Sequence, residues 1–185
     1  MEHRLREEMA EYGRKLVSCG LVQGTWGNIS VRLYDKYMIT TPSGLDYMRL
    51  SAEDMVKVEI DSLKYEGERK PTSEKGLHAA IYKRRPDAGA VIHTHSKYAC
   101  VFAAAGKDMP VLDEYRESLG DVIKVAAYGL PGSKKLMNNT AEAVGTSAGA
   151  IMANHGMAAC GKNLAEAFEN CVKIEENGKK VLDRK

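Results

Sequence analysis

The sequence predicts an α/β fold in which a mainly antiparallel central sheet carries helices on its faces. Two observations lead there. Segments with strand-like alternation or short β-branched runs are interleaved with segments whose apolar residues recur at helical spacing. The early strands, however, are joined by tight turn signals, so they read as hairpins and meanders rather than as the crossover units of a doubly wound sheet. No repeat, low-complexity tract or linker interrupts the 185 residues, so the expectation is one domain, 1–185.

Leu5, Met9, Tyr12, Leu16 and Val17 form a helical stripe over residues 4–19, closed by Gly20. Thr25-Trp26-Gly27-Asn28 follows as a loop. Ile29–Leu33 and Tyr37–Thr40 flank Asp35-Lys36 as a hairpin. Thr41-Pro42-Ser43-Gly44 reads as a turn, and Ser51 with Asp54 as a helix-start box before a brief helical turn. Val56–Ile60 alternates as a strand, with Leu63–Tyr65 as its partner. Pro71-Thr72-Ser73-Glu74 opens a helix to about Arg85, which Pro86 ends. Then come a strand at 90–95, a helix from Lys97 to Ala104, a strand from Val122 to Ala127 and a helix at 133–145. Strands at 149–154 and 158–160 precede a helix of some twenty residues capped by Asn163.

Composition narrows the function. With 44% hydrophobic and 28% charged residues the chain is ordinary globular material. A formal charge of +2 is too mild for nucleic acid, and Arg84-Arg85 and Lys134-Lys135 are pairs rather than patches. Cys19, Cys100, Cys160 and Cys171 show no Cys-x-x-Cys spacing and are expected to be reduced, buried and structural. The charged N-terminal helix has no signal-peptide pattern, and the longest apolar stretch, 99–105, is far short of a membrane span. These features predict a cytoplasmic protein with no membrane partner.

The most informative motif is His93-Thr94-His95, which closes the run Ala90-Val91-Ile92. Residues i and i+2 of a strand project to one face, so both imidazoles can address one point, as zinc ligands do. Glu74 at a helix start and His155 in Asn154-His155-Gly156 supply a carboxylate and a third imidazole. Singly, each is ordinary: a satisfied histidine at a turn, or a first-turn carboxylate favoured by the helix dipole. Together, Glu74, His93, His95 and His155 predict a catalytic metal site. His78 lies one turn after Glu74 on the same helical face and is expected to support the site from the core rather than bind metal. His3 is expected to play no part.

Gly27-Asn28, Ser43-Gly44 and Thr72-Ser73 combine small residues and hydroxyls with accessible backbone N–H groups. Each alone is explained as a turn or a cap. Thr72-Ser73, at the start of the Glu74 helix, gives the phosphate reading its strongest footing. With neither Gly-x-x-x-x-Gly-Lys-Ser/Thr nor Gly-x-Gly-x-x-Gly present, nucleotide binding has no support.

These motifs in this order resemble the zinc-dependent class II aldolase family, which includes L-fuculose-phosphate aldolase, L-ribulose-5-phosphate 4-epimerase and the adducin head. The resemblance spans residues 5–180. It rests on Gly24-Thr25-Trp26-Gly27-Asn28-Ile29-Ser30, Thr41-Pro42-Ser43-Gly44, Pro71-Thr72-Ser73-Glu74, His93-Thr94-His95-Ser96 and Asn154-His155-Gly156. It implies a three-layer α/β/α sandwich and a homotetramer with active sites at subunit interfaces. It also implies Zn2+ on His93, His95 and His155, with Glu74 as a ligand that swings away to act as base. Gly27, Asn28, Ser43, Gly44, Thr72 and Ser73 match the phosphate-binding positions.

The implied reaction is reversible cleavage of a ketose 1-phosphate, such as L-fuculose 1-phosphate, through an enediolate. The products are dihydroxyacetone phosphate and a small aldehyde. Tyr115, with Glu114 beside it, falls in the segment that the resemblance assigns to the group serving the aldehyde oxygen from a neighbouring subunit. Three relatives offer alternatives: the epimerase, which usually carries Asp where this chain has Glu74; methylthioribulose-1-phosphate dehydratase, whose acid Glu114 could supply; and a non-enzymatic adducin-like interaction domain, against which the complete Glu74/His93/His95/His155 set argues. A cupin-type oxygenase shares the His-x-His pattern, but its fold is nearly all strands. The chain ends at Lys185, where the fuculose-phosphate enzyme carries a further segment that helps close its pocket, so the resemblance leaves the aldehyde open.

Overall fold

The computed structural model describes residues 1–184. α1 (Glu2–Ser18) buries Met9, Ala10, Gly13 and Leu16, while Leu5, Tyr12 and Val17 of the expected stripe are partly buried against the same core. β1 (Asn28–Leu33) and β2 (Tyr37–Thr40) form the expected hairpin, turning at Tyr34 with φ 54°. Short 3-10 turns at Tyr47–Arg49 and Ala52–Asp54 lead into β3 (Val56–Glu59), the second with the Ser51/Asp54 capping box. Tyr65 returns to bridge Val58. Next come α2 (Lys75–Arg84), β4 (Ala90–Thr94), α3 (Lys97–Ala105), β5 (Met109–Pro110) and α4 (Asp113–Leu119). β6 (Val122–Ile123), β7 (Val125–Ala126), α5 (Lys134–Val144), β8 (Gly149–Met152), β9 (Gly156–Gly161) and α6 (Leu164–Asp183) complete the order.

Seven strands make the main sheet, ordered β3-β2-β1-β4-β9-β8-β7. Every pairing is antiparallel except β7 with β8. The predicted class, α/β with a mainly antiparallel sheet, is the observed one. β4 lies at the centre and is buried on both faces, which fits its apolar run Ala90-Val91-Ile92. Its side chains alternate: Ala90 and Ile92 enter a core shared with α1, α3 and α6, while Val91 enters a second core with α2 and α5. His93 follows Val91 at the period of two and so faces α2, the helix that Glu74 begins.

Four expectations are corrected. The single strand at 122–127 is two: β6 pairs with β5 in a separate two-stranded sheet, and β7 pairs with β8 in the main one. The switch falls at Lys124, whose carbonyl accepts from Ile151 N, while Asp108 takes the N–H of Val125. α4 lay unpredicted because seven residues with only Tyr115 and Leu119 buried are too short to show a period. The buried-thiol expectation holds for Cys160 and Cys171, but Cys100 is half-buried and Cys19 is exposed, since it follows the last buried turn of α1. The strand expected at 149–154 stops at Met152, so His155 lies in the turn between β8 and β9, where Asn154 has φ 57°. No helix among the described residues is long and apolar enough to cross a membrane.

Candidate active site

One end of the sheet gathers every motif of interest: the start of β1, the ends of β2, β4, β7 and β8, the start of β9 and the first turn of α2. Register does the positioning. Asn28 on β1 and Ala158 on β9 both lie opposite His93 on β4. His93 is fully buried, and its Nδ1–H donates to the Met157 carbonyl at 2.7 Å. That bond fixes the tautomer and leaves the Nε2 lone pair facing the rim.

His93 Nε2 lies 2.9 Å from His95 Nε2 and 3.2 Å from Glu74 Oε2, and His155 Nε2 lies 3.4 Å from Glu74 Oε1. The three rings face one another with centroids 4.7, 4.9 and 5.1 Å apart, and a nitrogen of each lies within 4.8 Å of the other two. Imidazole lone pairs and a carboxylate this close repel unless a proton or a cation lies among them. Glu74 Oε1 and His155 Nδ1 are buried with no hydrogen-bond partner. A buried acceptor left open among convergent nitrogens fits a divalent cation, and three nitrogens with one oxygen are donors zinc accepts.

The electrostatics favour the ligand forms of Glu74, His95 and His155. Burial opposes ionisation of Glu74, but His93, the Asn28 amide and His155 outweigh it and hold the carboxyl below its ordinary range. Burial first, then the neighbouring imidazoles, pushes His95 down to about 4 and also lowers His155. Neutral imidazole and ionised carboxylate are the states a metal binds.

Two glycines make room. A Cβ on Gly156 would enter the Thr94 carbonyl and the His95 ring; one on Gly27, at φ +80°, would meet the His93 carbonyl at 2.6 Å. Trp26, 61% exposed, stands over the mouth with its ring 5.8 Å from that of His95.

The three proposed phosphate loops adjoin one another at this rim. Thr41 joins β2 to β1, its Oγ1 accepting from Ile29 N and its N–H donating to the Ile29 carbonyl. Pro42 bridges Pro71, Ser43 N donates to the Lys70 carbonyl, and Thr72 N donates to the Thr41 carbonyl. Ser43, Gly44 and Ser73 are exposed, whereas Thr72 is buried and its Oγ1 accepts from Glu74 N. Asn28 stands apart: its Nδ2 donates to Glu74 Oε2 at 2.9 Å and its Oδ1 accepts from His78. One amide N–H and the carbonyl are thus used inside the chain, and the second Nδ2–H is left without a partner among the described residues. No local pattern announces the contact with Glu74, because it depends on β1 crossing α2.

Glu114 and Tyr115 are not brought to the cluster within one chain. Tyr115 is buried, its hydroxyl donating to Glu176 at 3.2 Å with Lys180 over its ring, and Glu114 pairs with Lys180 at 3.1 Å. Tyr128, which sequence reasoning passed over, is half-exposed just beyond β7, the strand whose end pairs with Met152 shortly before His155. His3 is far exposed on α1 and paired with Glu7.

Comparison with known proteins agrees with fold and site. Residues 7–180 match the model of the class II aldolase and adducin N-terminal domain family. The chain is 37% identical over 171 residues to a 5-deoxy-D-ribulose 1-phosphate aldolase of Bacillus thuringiensis serovar kurstaki, covering 92% of this chain and 80% of that one. It is 36% identical over 174 residues to a 5-methylthioribulose-1-phosphate/5-deoxyribulose-1-phosphate aldolase of Rhodospirillum rubrum, covering 93% and 77%. A solved L-fuculose 1-phosphate aldolase superposes with a TM-score of 0.92 at 35% identity, over 97% of this chain and 85% of its own. The chain therefore belongs to the class II aldolase family, a metal-dependent family, and is an enzyme of the aldolase class.

Proposed function

We propose that the protein is a zinc-dependent aldolase that reversibly cleaves a ketose 1-phosphate to dihydroxyacetone phosphate and a small aldehyde. The observation that carries this is the buried, unpartnered Glu74 Oε1 set among the imidazoles of His93, His95 and His155. In this reading His93, His95, His155 and Glu74 hold Zn2+, which supplies an electrophile to the ketose carbonyl. Glu74, the only carboxylate in the cluster, moves the proton at the carbon that becomes nucleophilic. Ser43, Gly44, Thr72, Ser73 and Gly27 offer hydroxyls and backbone N–H groups to the 1-phosphate beside the start of α2, and Asn28 offers the second N–H of its amide.

The hydroxyl on the carbon beyond the scissile bond must lose its proton as the aldehyde forms. Nothing in the cluster is placed to take it, which supports a group entering from a neighbouring subunit of a homotetramer. Glu114 and Tyr115 are the segment assigned by resemblance, and half-exposed Tyr128 is the candidate favoured by position and exposure. The relatives named for 5-deoxyribulose 1-phosphate, 5-methylthioribulose 1-phosphate and fuculose 1-phosphate share a ketose 1-phosphate, and that shared part is what the rim of the sheet addresses. Epimerisation of L-ribulose 5-phosphate and dehydration of methylthioribulose 1-phosphate remain the rival reactions of the same centre.

The test is a panel on zinc-loaded protein: L-fuculose 1-phosphate, 5-deoxyribulose 1-phosphate, 5-methylthioribulose 1-phosphate and L-ribulose 5-phosphate. Release of dihydroxyacetone phosphate from one of the 1-phosphates, with about one metal per chain, is expected. Turnover of L-ribulose 5-phosphate alone, or loss of water from methylthioribulose 1-phosphate without cleavage, would replace the aldolase reading.

A further inference from the structure

Behind Glu74, between β1 and α2, runs a chain of side chains that the reaction above does not use. Tyr82 Oη lies 2.8 Å from Ser30 Oγ, Ser30 Oγ lies 2.6 Å from His78 Nδ1, and His78 Nε2 bonds Asn28 Oδ1. Asn28 Nδ2 then reaches Glu74 Oε2. Ser30 and His78 are fully buried, Tyr82 is 1% exposed and Asn28 5%. None of these atoms has water to turn to, so the polarity of every bond is decided by its neighbours.

That polarity can be followed from one end. An ionised carboxylate only accepts, so Asn28 must present N–H to Glu74 and its carbonyl to His78. His78 must then donate from Nε2. The ring is neutral, held by burial at a pKa of about 3, so its Nδ1 has a bare lone pair and accepts from the Ser30 hydroxyl. Ser30 Oγ in turn accepts from Tyr82. The reversed chain would satisfy His78, Ser30 and Tyr82 equally well, but it would set the Asn28 carbonyl against the Glu74 carboxylate.

We infer that His78 is a positioning residue for Glu74. By donating from Nε2 it locks the Asn28 amide with its N–H toward Glu74 Oε2, which aims the other carboxylate oxygen into the imidazole cluster. The inference rests on Glu74 being the reactive carboxylate, and it assigns to a residue outside the metal and phosphate positions a part in the turnover step. Ser30 and Tyr82 fix the His78 tautomer from behind.

Three variants and one spectrum test it on the full-length, metal-loaded protein. His78→Leu leaves the Asn28 amide free to turn. His78→Gln returns a donor for Asn28 and an acceptor for Ser30. With the best substrate of the panel, His78→Leu is expected to lower kcat about 10- to 100-fold with metal per chain unchanged and KM within about threefold. His78→Gln is expected to recover most of that loss. Native kcat in His78→Leu, or an equal loss in both variants, overturns the inference, because packing and not bond polarity would then be at work. Ser30→Ala keeps the imidazole and is expected to show a smaller loss in the same direction, so a poorly folding Leu variant does not end the test; native kcat in both Ser30→Ala and His78→Gln, beside inactive His78→Leu, overturns it. Long-range 15N NMR of the intact protein reads the tautomer without any sugar phosphate. A neutral His78 protonated at Nε2 near pH 7 is expected, and an Nδ1–H form overturns the relay. A protein that cleaved no ketose phosphate yet showed the Nε2–H form would sink the aldolase reading and leave the relay standing.

Discussion

Two regions carry the candidate catalytic residues, and they are built oppositely. The cluster of Glu74, His93, His95 and His155 is assembled within one chain, from a strand end, a helix start and a turn that the sheet brings together. The α4–α6 region that carries Glu114 and Tyr115 is closed on itself, with the Tyr115 hydroxyl given to Glu176 and Glu114 to Lys180. The first leaves buried donors open; the second leaves none. A buried group that lacks a partner inside its own chain is open to a ligand, while the Tyr115 hydroxyl and the Glu114 carboxylate already have partners. The difference separates a cluster open to a ligand from a region closed by its own contacts.

The largest effect that could break this contrast lies in the cluster. His95→Ala is expected to lose bound metal and take kcat/KM to background, as measured by elemental analysis and a coupled assay for dihydroxyacetone phosphate. Glu74→Gln separates binding from proton transfer: a drop of about 10²–10⁴-fold in kcat is expected, with metal retained in part. Full activity in the metal-free His95→Ala protein would dissolve the cluster's claim to be the reactive centre.

The next effect lies in the other region. Tyr115→Phe removes a hydroxyl that already has a partner in its own chain, so turnover is expected to change by less than about threefold, with a stability loss of about 1 kcal/mol from the broken bond to Glu176. Tyr128→Phe is expected to lower kcat by about 10²-fold or more with little change in stability, since its ring is half-exposed and unburdened by packing. The reverse pattern, Tyr115→Phe inactive and Tyr128→Phe native, would show that α4 opens on assembly. Size-exclusion chromatography with light scattering, run on the same samples, reports whether the expected tetramer is intact.

Why the first region was legible and the second was not follows from range. His93 and His95 announce themselves because a strand has period two, and Glu74 because a helix start follows Pro71-Thr72-Ser73; both are local rules. The sheet class followed from hairpin turns that are equally local. Asn28 holding Glu74 was illegible because it needs the β1–β4 register and the packing of α2 over it, neither of which leaves a mark in sequence. The split at Lys124 was hidden for the same reason: one apolar run looks alike whether it serves one sheet or two. Tyr128 lies in a loop whose placement depends on the only parallel pairing among the described strands, β7 with β8.

The smallest effect is thermodynamic and belongs to the buried support of the cluster. Burial disfavours the charged form of His78 and pushes its pKa down to about 3 in the folded chain, from an ordinary value of 6.5. Between those values the unfolded chain holds the proton and the folded chain does not, so unfolding takes up protons and stability falls as pH falls. The contribution is fully present above pH 6.5 and costs about 2 kcal/mol of stability by pH 5, at roughly 1.4 kcal/mol per unit. Glu74, held low by the same network, works in the same direction, but its loss comes only as pH falls through the carboxylate range. Urea unfolding of metal-free protein at pH 7 and pH 5 measures the sum, and His78→Gln isolates the part due to the imidazole. If that variant loses as much stability between the two pH values as the native chain, His78 is not the buried neutral group on which the relay to Glu74 depends.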